Sequence, residues 1–140
     1  MKKVAVIYWS GTGNTEAMAK AVAEGAKSDN TEVSLLSVSE ATLDIVKNSD
    51  AIALGCPSMG AEVLEESEME PFVASIEGIL TGKPLVLFGS YGWGNGEWMQ
   101  DWVDRMTNCG ANLLSEGLII QDMPGEQGLA DCKALGMKLI

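Results

Sequence analysis

Val4-Ala5-Val6-Ile7-Tyr8-Trp9 runs directly into Ser10-Gly11-Thr12-Gly13-Asn14-Thr15, and this junction decides the fold. The first six residues form an unbroken apolar run, as expected of a strand covered on both faces. Glu16 to Ala26 then reads as a helix. In the loop between them, four of six residues carry a hydroxyl or carboxamide, two are glycines, and none is charged. Glycine lets backbone N–H groups turn toward a common centre, and the hydroxyls add donors that rotate. A polar loop entering a helix N-terminus gathers unpaired amides and the positive end of the helix dipole. That makes an anion site, and phosphate is the anion it suits best. The segment is not a P-loop, which needs G-x-x-x-x-G-K-[ST], and Glu16 stands where a dinucleotide fingerprint has its third glycine. A terminal phosphate held by neutral donors, without magnesium, is therefore expected. The alternative is a glycine-rich turn with no ligand.

Outward from this junction, apolar runs of strand length alternate with helix-like stretches. Strands are expected at 3–9, 32–37, 50–56, 84–89 and 112–121, and helices at 14–27, 41–47, 69–79, 97–108 and 128–139. Pro71 suits the first turn of its helix and Gly110 the residue just past another. Five βα units with short connections predict one domain over 1–140. The expected fold is a doubly wound five-stranded parallel sheet, strand order 2-1-3-4-5, with helices on both faces. In such a sheet ligands bind beyond the carboxyl ends of the strands, where the strand order reverses. The loops 10–15, 56–62 and 89–96 meet that description and should converge on one site.

Composition narrows the chemistry. Hydrophobic residues make up 46% of the 140, which excludes a disordered chain. No apolar stretch approaches the length of a membrane span and no signal peptide is evident, so a cytoplasmic protein without a membrane partner is expected. Cys56, Cys109 and Cys132 lack C-x-x-C spacing and histidine is absent, which argues against a zinc or iron–sulfur site and against histidine-dependent catalysis. The net charge of −11 argues against nucleic acid as a partner. Acids cluster at Glu62, Glu65, Glu66, Glu68 and Glu70, then recur at Glu97, Asp101, Asp104 and Asp122. They read either as a solvated face or as a docking surface for basic partners, which would give weak, fast, salt-sensitive association.

The other two loops carry ring-binding chemistry. Gly89-Ser90-Tyr91-Gly92-Trp93-Gly94-Asn95-Gly96 sets two aromatics on a backbone free to approach a ligand, and aromatic stacking contributes roughly 0.5–1.5 kcal/mol beyond burial. Trp98, Trp102 and Met106 instead recur at helical spacing, as packing residues do. In Cys56-Pro57-Ser58-Met59-Gly60-Ala61-Glu62, Met59 can lay a polarizable side chain on a ring face. Gly60 before Ala61 fits a type II′ turn, whose positive φ falls on the glycine. Glu62 offers a carboxylate to a ring N–H, and Cys56 reads as a small buried residue closing its strand.

Together, W-S-G-T-G-N-T-E, M-G-x-E and G-S-Y-G-W-G resemble the flavodoxins, specifically the short-chain kind of anaerobic bacteria, over essentially the whole chain. The resemblance implies one tightly bound, non-covalent FMN and a low-potential one-electron carrier. It would shuttle between semiquinone and hydroquinone in place of ferredoxin, and would not be an enzyme. On this reading Ser10, Gly11, Thr12, Gly13, Asn14 and Thr15 hold the phosphate. Met59 covers the inner ring face and Trp93 the outer. Gly60 turns its carbonyl toward flavin N5 on one-electron reduction, and Glu62 bonds N3. Ser90, Tyr91 and Gly92 surround the pyrimidine end and Asp122 approaches the ribityl chain. Pro57, Ser58, Ala61 and Gly94 complete the cofactor-binding set. Pro57 stands where some relatives have a hydroxyl near the phosphate, and Met123 replaces an acid some carry near the flavin. Monomers meeting redox partners with basic docking faces are expected.

Charge gives such a site leverage over potential. One acid about 10 Å from the added electron, at an effective dielectric near 40, costs roughly 0.8 kcal/mol, near 35 mV. The alternatives are a flavodoxin-like FMN enzyme (a quinone reductase or radical-enzyme activase) and a phospho-receiver of the same topology. The first needs a substrate pocket or insertions; the second needs clustered carboxylates at strand ends, where this chain has Trp9-Ser10.

Overall fold

The computed structural model describes residues 1–59 and 63–140. Gly60, Ala61 and Glu62, which carry the expected glycine turn and ring carboxylate, lie outside the described residues. The elements are β1 (Lys2–Tyr8), α1 (Asn14–Ala26), β2 (Thr31–Ser37), α2 (Leu43–Asn48), β3 (Ala51–Gly55), α3 (Met69–Ile76), β4 (Pro84–Tyr91), α4 (Glu97–Asn108), β5 (Asn112–Leu113), β6 (Leu118–Gln121) and α5 (Glu126–Met137).

The sheet runs β2-β1-β3-β4-β5 and its pairings are parallel, as the alternating pattern predicts. The fifth strand departs from expectation. The stretch 112–121 is not a single fifth strand: β5 and β6 each pair with β4 and share the edge position. Between Leu113, opposite Leu85, and Leu118, opposite Phe88, this chain advances five residues while β4 advances three. Ser115, Glu116 and Gly117 lie in that excursion. A side chain at Gly117 would overlap Met99 on α4, so the chain passes close over the helix there. Other boundaries shift less. Thr42 caps α2, its hydroxyl accepting from Ile45 N at 3.2 Å. After Ile76 the helix tightens into a 3-10 turn, Glu77–Ile79, around Gly78. β2 is an edge strand, and Leu35 in its apolar run is 37% exposed.

Helices cover both faces. On one, α2, α3 and α4 bury Val46, Met69, Val73, Trp98, Trp102 and Met106 against Ile7, Ile52, Leu54 and Leu87. The helical spacing of the two tryptophans and Met106 is thus core spacing. On the other face α1 and α5 bury Met18, Val22, Cys132 and Leu135 against Val6, Ala53 and Phe88. These two helices meet backbone to backbone: a side chain at Gly25 would overlap the Lys133 carbonyl, and one at Gly136 the Val22 carbonyl. No helix among the described residues is long and apolar enough to cross a membrane.

Candidate functional site

The strand ladder continues into the loops at the carboxyl edge. Trp9 N donates to Gly55 O at 3.0 Å, Cys56 N to Phe88 O at 3.1 Å, and Ser58 N to Ser90 O at 3.0 Å. The segments after β1, β3 and β4 are therefore held side by side, and a cleft of about 240 Å³ opens between them. Gly11, Thr12 and Asn14 line one side of it, with Pro57, Ser58 and Met59 from the second segment and Ser90, Tyr91 and Gly92 from the third. Asp122 and Trp9 complete the lining.

The anion loop is shaped from within. Gly13 caps α1 at φ 95°, a left-handed conformation that glycine adopts freely. Ser10 Oγ accepts from Gly13 N at 3.1 Å and from Glu16 N at 3.2 Å, leaving its O–H as the donor it can offer. The first-turn amides of Asn14 and Thr15 have no acceptor inside the helix. Ser10 and Gly13 border an adjoining cleft of about 300 Å³, shared with Tyr8, Glu16 and Ser37. There the Tyr8 hydroxyl lies 3.2 Å from the Glu16 carboxylate; desolvation first, then the Glu16 charge, pushes its pKa up. Thr15 is buried, and its hydroxyl pairs with that of Ser90 at 2.9 Å.

The second segment is pinned below the cleft. Met59 and Val63 exchange backbone bonds of 2.9 and 3.0 Å. Glu65, 4% exposed, turns its carboxylate onto the N-terminus of α3. It accepts from Ser67 Oγ at 2.7 Å, Ser67 N at 2.8 Å, Glu68 N at 2.6 Å and Met69 N at 3.4 Å. Burial opposes its ionisation, but the Ser67 hydroxyl and these amides outweigh burial and hold its pKa below the usual carboxylate range. Glu65 thus serves the fold and not the solvated acidic face. Glu70 is likewise engaged, in a two-pronged pair with Arg105 at 2.7 Å that Glu77 extends at 3.0 Å. Cys56 is fully buried and its thiol is pushed up to about 12, chiefly by burial, so it stays protonated.

In the third segment Tyr91 tilts against Trp98, with ring centroids 5.8 Å apart. Trp93 is 64% exposed and Gly94 lies beside it in solvent, so neither lines the cleft. Asp122 takes φ 55° with its amide 2.7 Å from Tyr91 O, which fixes its carboxylate near Gly92 at the mouth. Trp9 is a cleft residue that lies outside the set expected from the sequence. Its signal was an aromatic next to the anion loop, and the fold shows why that matters. The bare Cα of Gly11 faces the Trp9 ring, and an added Cβ would sit 3.0 Å from it.

This donor set fits FMN. Hydroxyls, a carboxamide and helix-terminal amides, with no competing carboxylate in loop 10–15, suit a phosphate. Trp9, Met59 and Tyr91 give the remainder of the cleft an apolar, aromatic character suited to a flat ring.

A family model described as Flavodoxin matches residues 6–136. A flavodoxin of Clostridium beijerinckii is 46% identical over 134 residues, covering 96% of each chain. One from Megasphaera elsdenii is 44% identical over 133 residues, covering 95% of each. The solution structure of two-electron reduced Megasphaera elsdenii flavodoxin superposes with a TM-score of 0.87 at 43% identity, covering 97% of both chains.

Proposed function

Because the chain belongs to the flavodoxin family, we propose that it takes the place of a ferredoxin, working between the two more reduced states of its flavin. As a family member it binds FMN and transfers electrons, and it is not an enzyme. When bound, FMN supplies a ring that accepts and releases electrons one at a time.

The protein's part is to hold and bias that ring. Ser10 to Thr15 would take the phosphate with neutral donors. Pro57, Ser58, Met59, Gly60, Ala61 and Glu62 would form the inner wall, Ser90, Tyr91 and Gly92 would surround the pyrimidine end, and Trp93, exposed beside the cleft with Gly94, would swing over the outer face of the bound ring. Asp122 would stand beside the ribityl chain. The observation that carries this reading is the meeting of three segments around one cleft, with an uncharged donor loop at one side and Met59 and Tyr91 beyond it. Because the chain as a whole carries a net charge of −11, the negative charge that a second electron would bring to the ring is opposed, which favours a low potential for that step.

For partners, the reading extends to redox proteins with basic docking faces. Glu66, Glu68, Asp101 and Asp104 are exposed, and Trp93 and Met123 add apolar surface, 64% and 76% exposed. The protein would act as a single-domain monomer over 1–140 in the cytoplasm. An anaerobic redox titration of the purified yellow protein, followed by absorbance, tests the function. Two well-separated one-electron steps are expected. A chain that neither retains nor rebinds FMN, or a single two-electron wave, would overturn it.

A further inference from the structure

A separate cavity of about 140 Å³ lies where Val63 and Leu64 cross over α4. It shares no lining residue with the flavin cleft. Its inner walls are apolar: Leu64, Trp98 and Trp102 are all buried, while Val63, 41% exposed, stands at the rim. Trp98 satisfies its indole N–H on Cys56 O at 3.2 Å. Trp102 does not. Among the described residues, its Nε1 is the one buried side-chain nitrogen or oxygen without a hydrogen-bond partner. Native interiors rarely leave a buried donor unmet, because its lost hydration goes uncompensated.

The charged groups at the rim narrow what could meet it. Arg105 donates to both oxygens of Glu70 at 2.7 Å and to Glu77 at 3.0 Å, and Asp101 is exposed beside them. Three acids face one base, which opposes an anion. A cation would suit the acids but would leave the N–H unmet. A lone water needs two to four polar partners, and beside Trp102 the walls are Trp98, Leu64 and Val63. One acceptor on an apolar body answers both needs. The volume suits a single ring, since an engineered apolar cavity of about 150 Å³ takes benzene.

We infer that this cavity is a second ligand site, taking a neutral one-ring carbonyl compound whose oxygen accepts from Trp102 Nε1. Val63 turns aside to admit the ring, which then lies among Leu64, Trp98 and Trp102. The site is independent of the flavin reading, because its walls belong to other residues.

The experiment titrates the oxidised, FMN-loaded protein with benzamide and follows the four tryptophan indole N–H signals by ¹H–¹⁵N NMR. Trp102→Phe identifies the Trp102 signal by its loss. That signal should move saturably in the millimolar range, while those of Trp9 and Trp93 stay in place. Benzoate, of the same shape but anionic, should bind at least about tenfold more weakly. In Trp102→Phe, which keeps an aromatic ring but loses the donor, benzamide followed through the Val63 methyl signals should bind roughly 5- to 10-fold more weakly. Val63→Phe, which blocks the rim, should abolish the shift. An unmoved Trp102 signal, equal affinity for benzoate, or full affinity in Trp102→Phe would overturn the inference. Should Trp102→Phe lack a cooperative thermal transition, Val63→Phe decides alone: undiminished binding there overturns the site.

Discussion

Replacing Glu65 with glutamine tests whether one buried carboxylate secures the segment beneath the cleft. The carboxylate accepts three bonds of 2.6–2.8 Å from the Ser67 hydroxyl and the Ser67 and Glu68 amides. Hydrogen bonds to a charged group contribute about 1.5–3 kcal/mol each, and a helix N-cap about 1 kcal/mol. Glutamine retains one acceptor and turns an NH₂ group toward donors, so Glu65→Gln should lose roughly 2–4 kcal/mol. With an m-value of about 2 kcal/mol/M, the urea midpoint should fall by roughly 1–2 M. The pH dependence carries its own sign. Because the folded pKa is depressed, the contribution is complete above the unfolded value of about 4.3. It is lost as pH falls through the folded value. The gap between the parent protein and Glu65→Gln should therefore be full at pH 7 and narrow progressively below about pH 4.3. Denaturation curves of the holoprotein across that range measure it. A loss under about 0.5 kcal/mol at pH 7, or a gap that widens in acid, would refute the reasoning.

Gly25→Ala places a methyl group against the Lys133 carbonyl, so α1 and α5 must separate. Overpacking of this kind costs about 1–3 kcal/mol, read as a lower thermal midpoint with FMN still bound. Trp93→Ala removes a ring that is 64% exposed, so apoprotein stability should change by less than about 0.5 kcal/mol. FMN affinity, followed by fluorescence quenching, should nevertheless fall roughly 2- to 10-fold through lost stacking. Electron transfer to a basic partner, followed by stopped flow, should slow as salt shortens the screening length from about 10 Å at 0.1 M to about 3 Å at 1 M. A rate indifferent to salt would remove the acidic surface from the docking argument.

The fold was readable because its signals are local. Val4 to Trp9 is apolar without interruption, the Ser10–Thr15 loop is polar and uncharged, and Trp98, Trp102 and Met106 recur at helical spacing. What escaped reading depends on neighbours far along the chain. Glu65 has the same side chain as the exposed Glu66 and Glu68; only the folded start of α3 brings amides to its carboxylate. The Thr15–Ser90 pair spans a separation of 75 residues, which no spacing rule reveals. Trp9 looked like the last residue of a strand, and its role at the cleft emerged once Gly11 folded back across it. The split of the last strand did leave a trace, in the polar Ser115-Glu116 followed by Gly117. The surrounding run of Leu113, Leu114, Leu118 and Ile119 hid it.

That split also sets where the molecule can grow. Leu114 N still bonds Leu85 O, and pairing resumes with Leu118 opposite Phe88. Each half is thus anchored to β4 on its own account. A peptide spliced between Ser115 and Glu116 would emerge as an outward loop without shifting either register. New surface added there would border the groove that Glu116, Gly117 and Ile119 share with Asn95 and Met99. Lengthening at that point would give the protein a fresh face while the sheet beneath it stayed as it is.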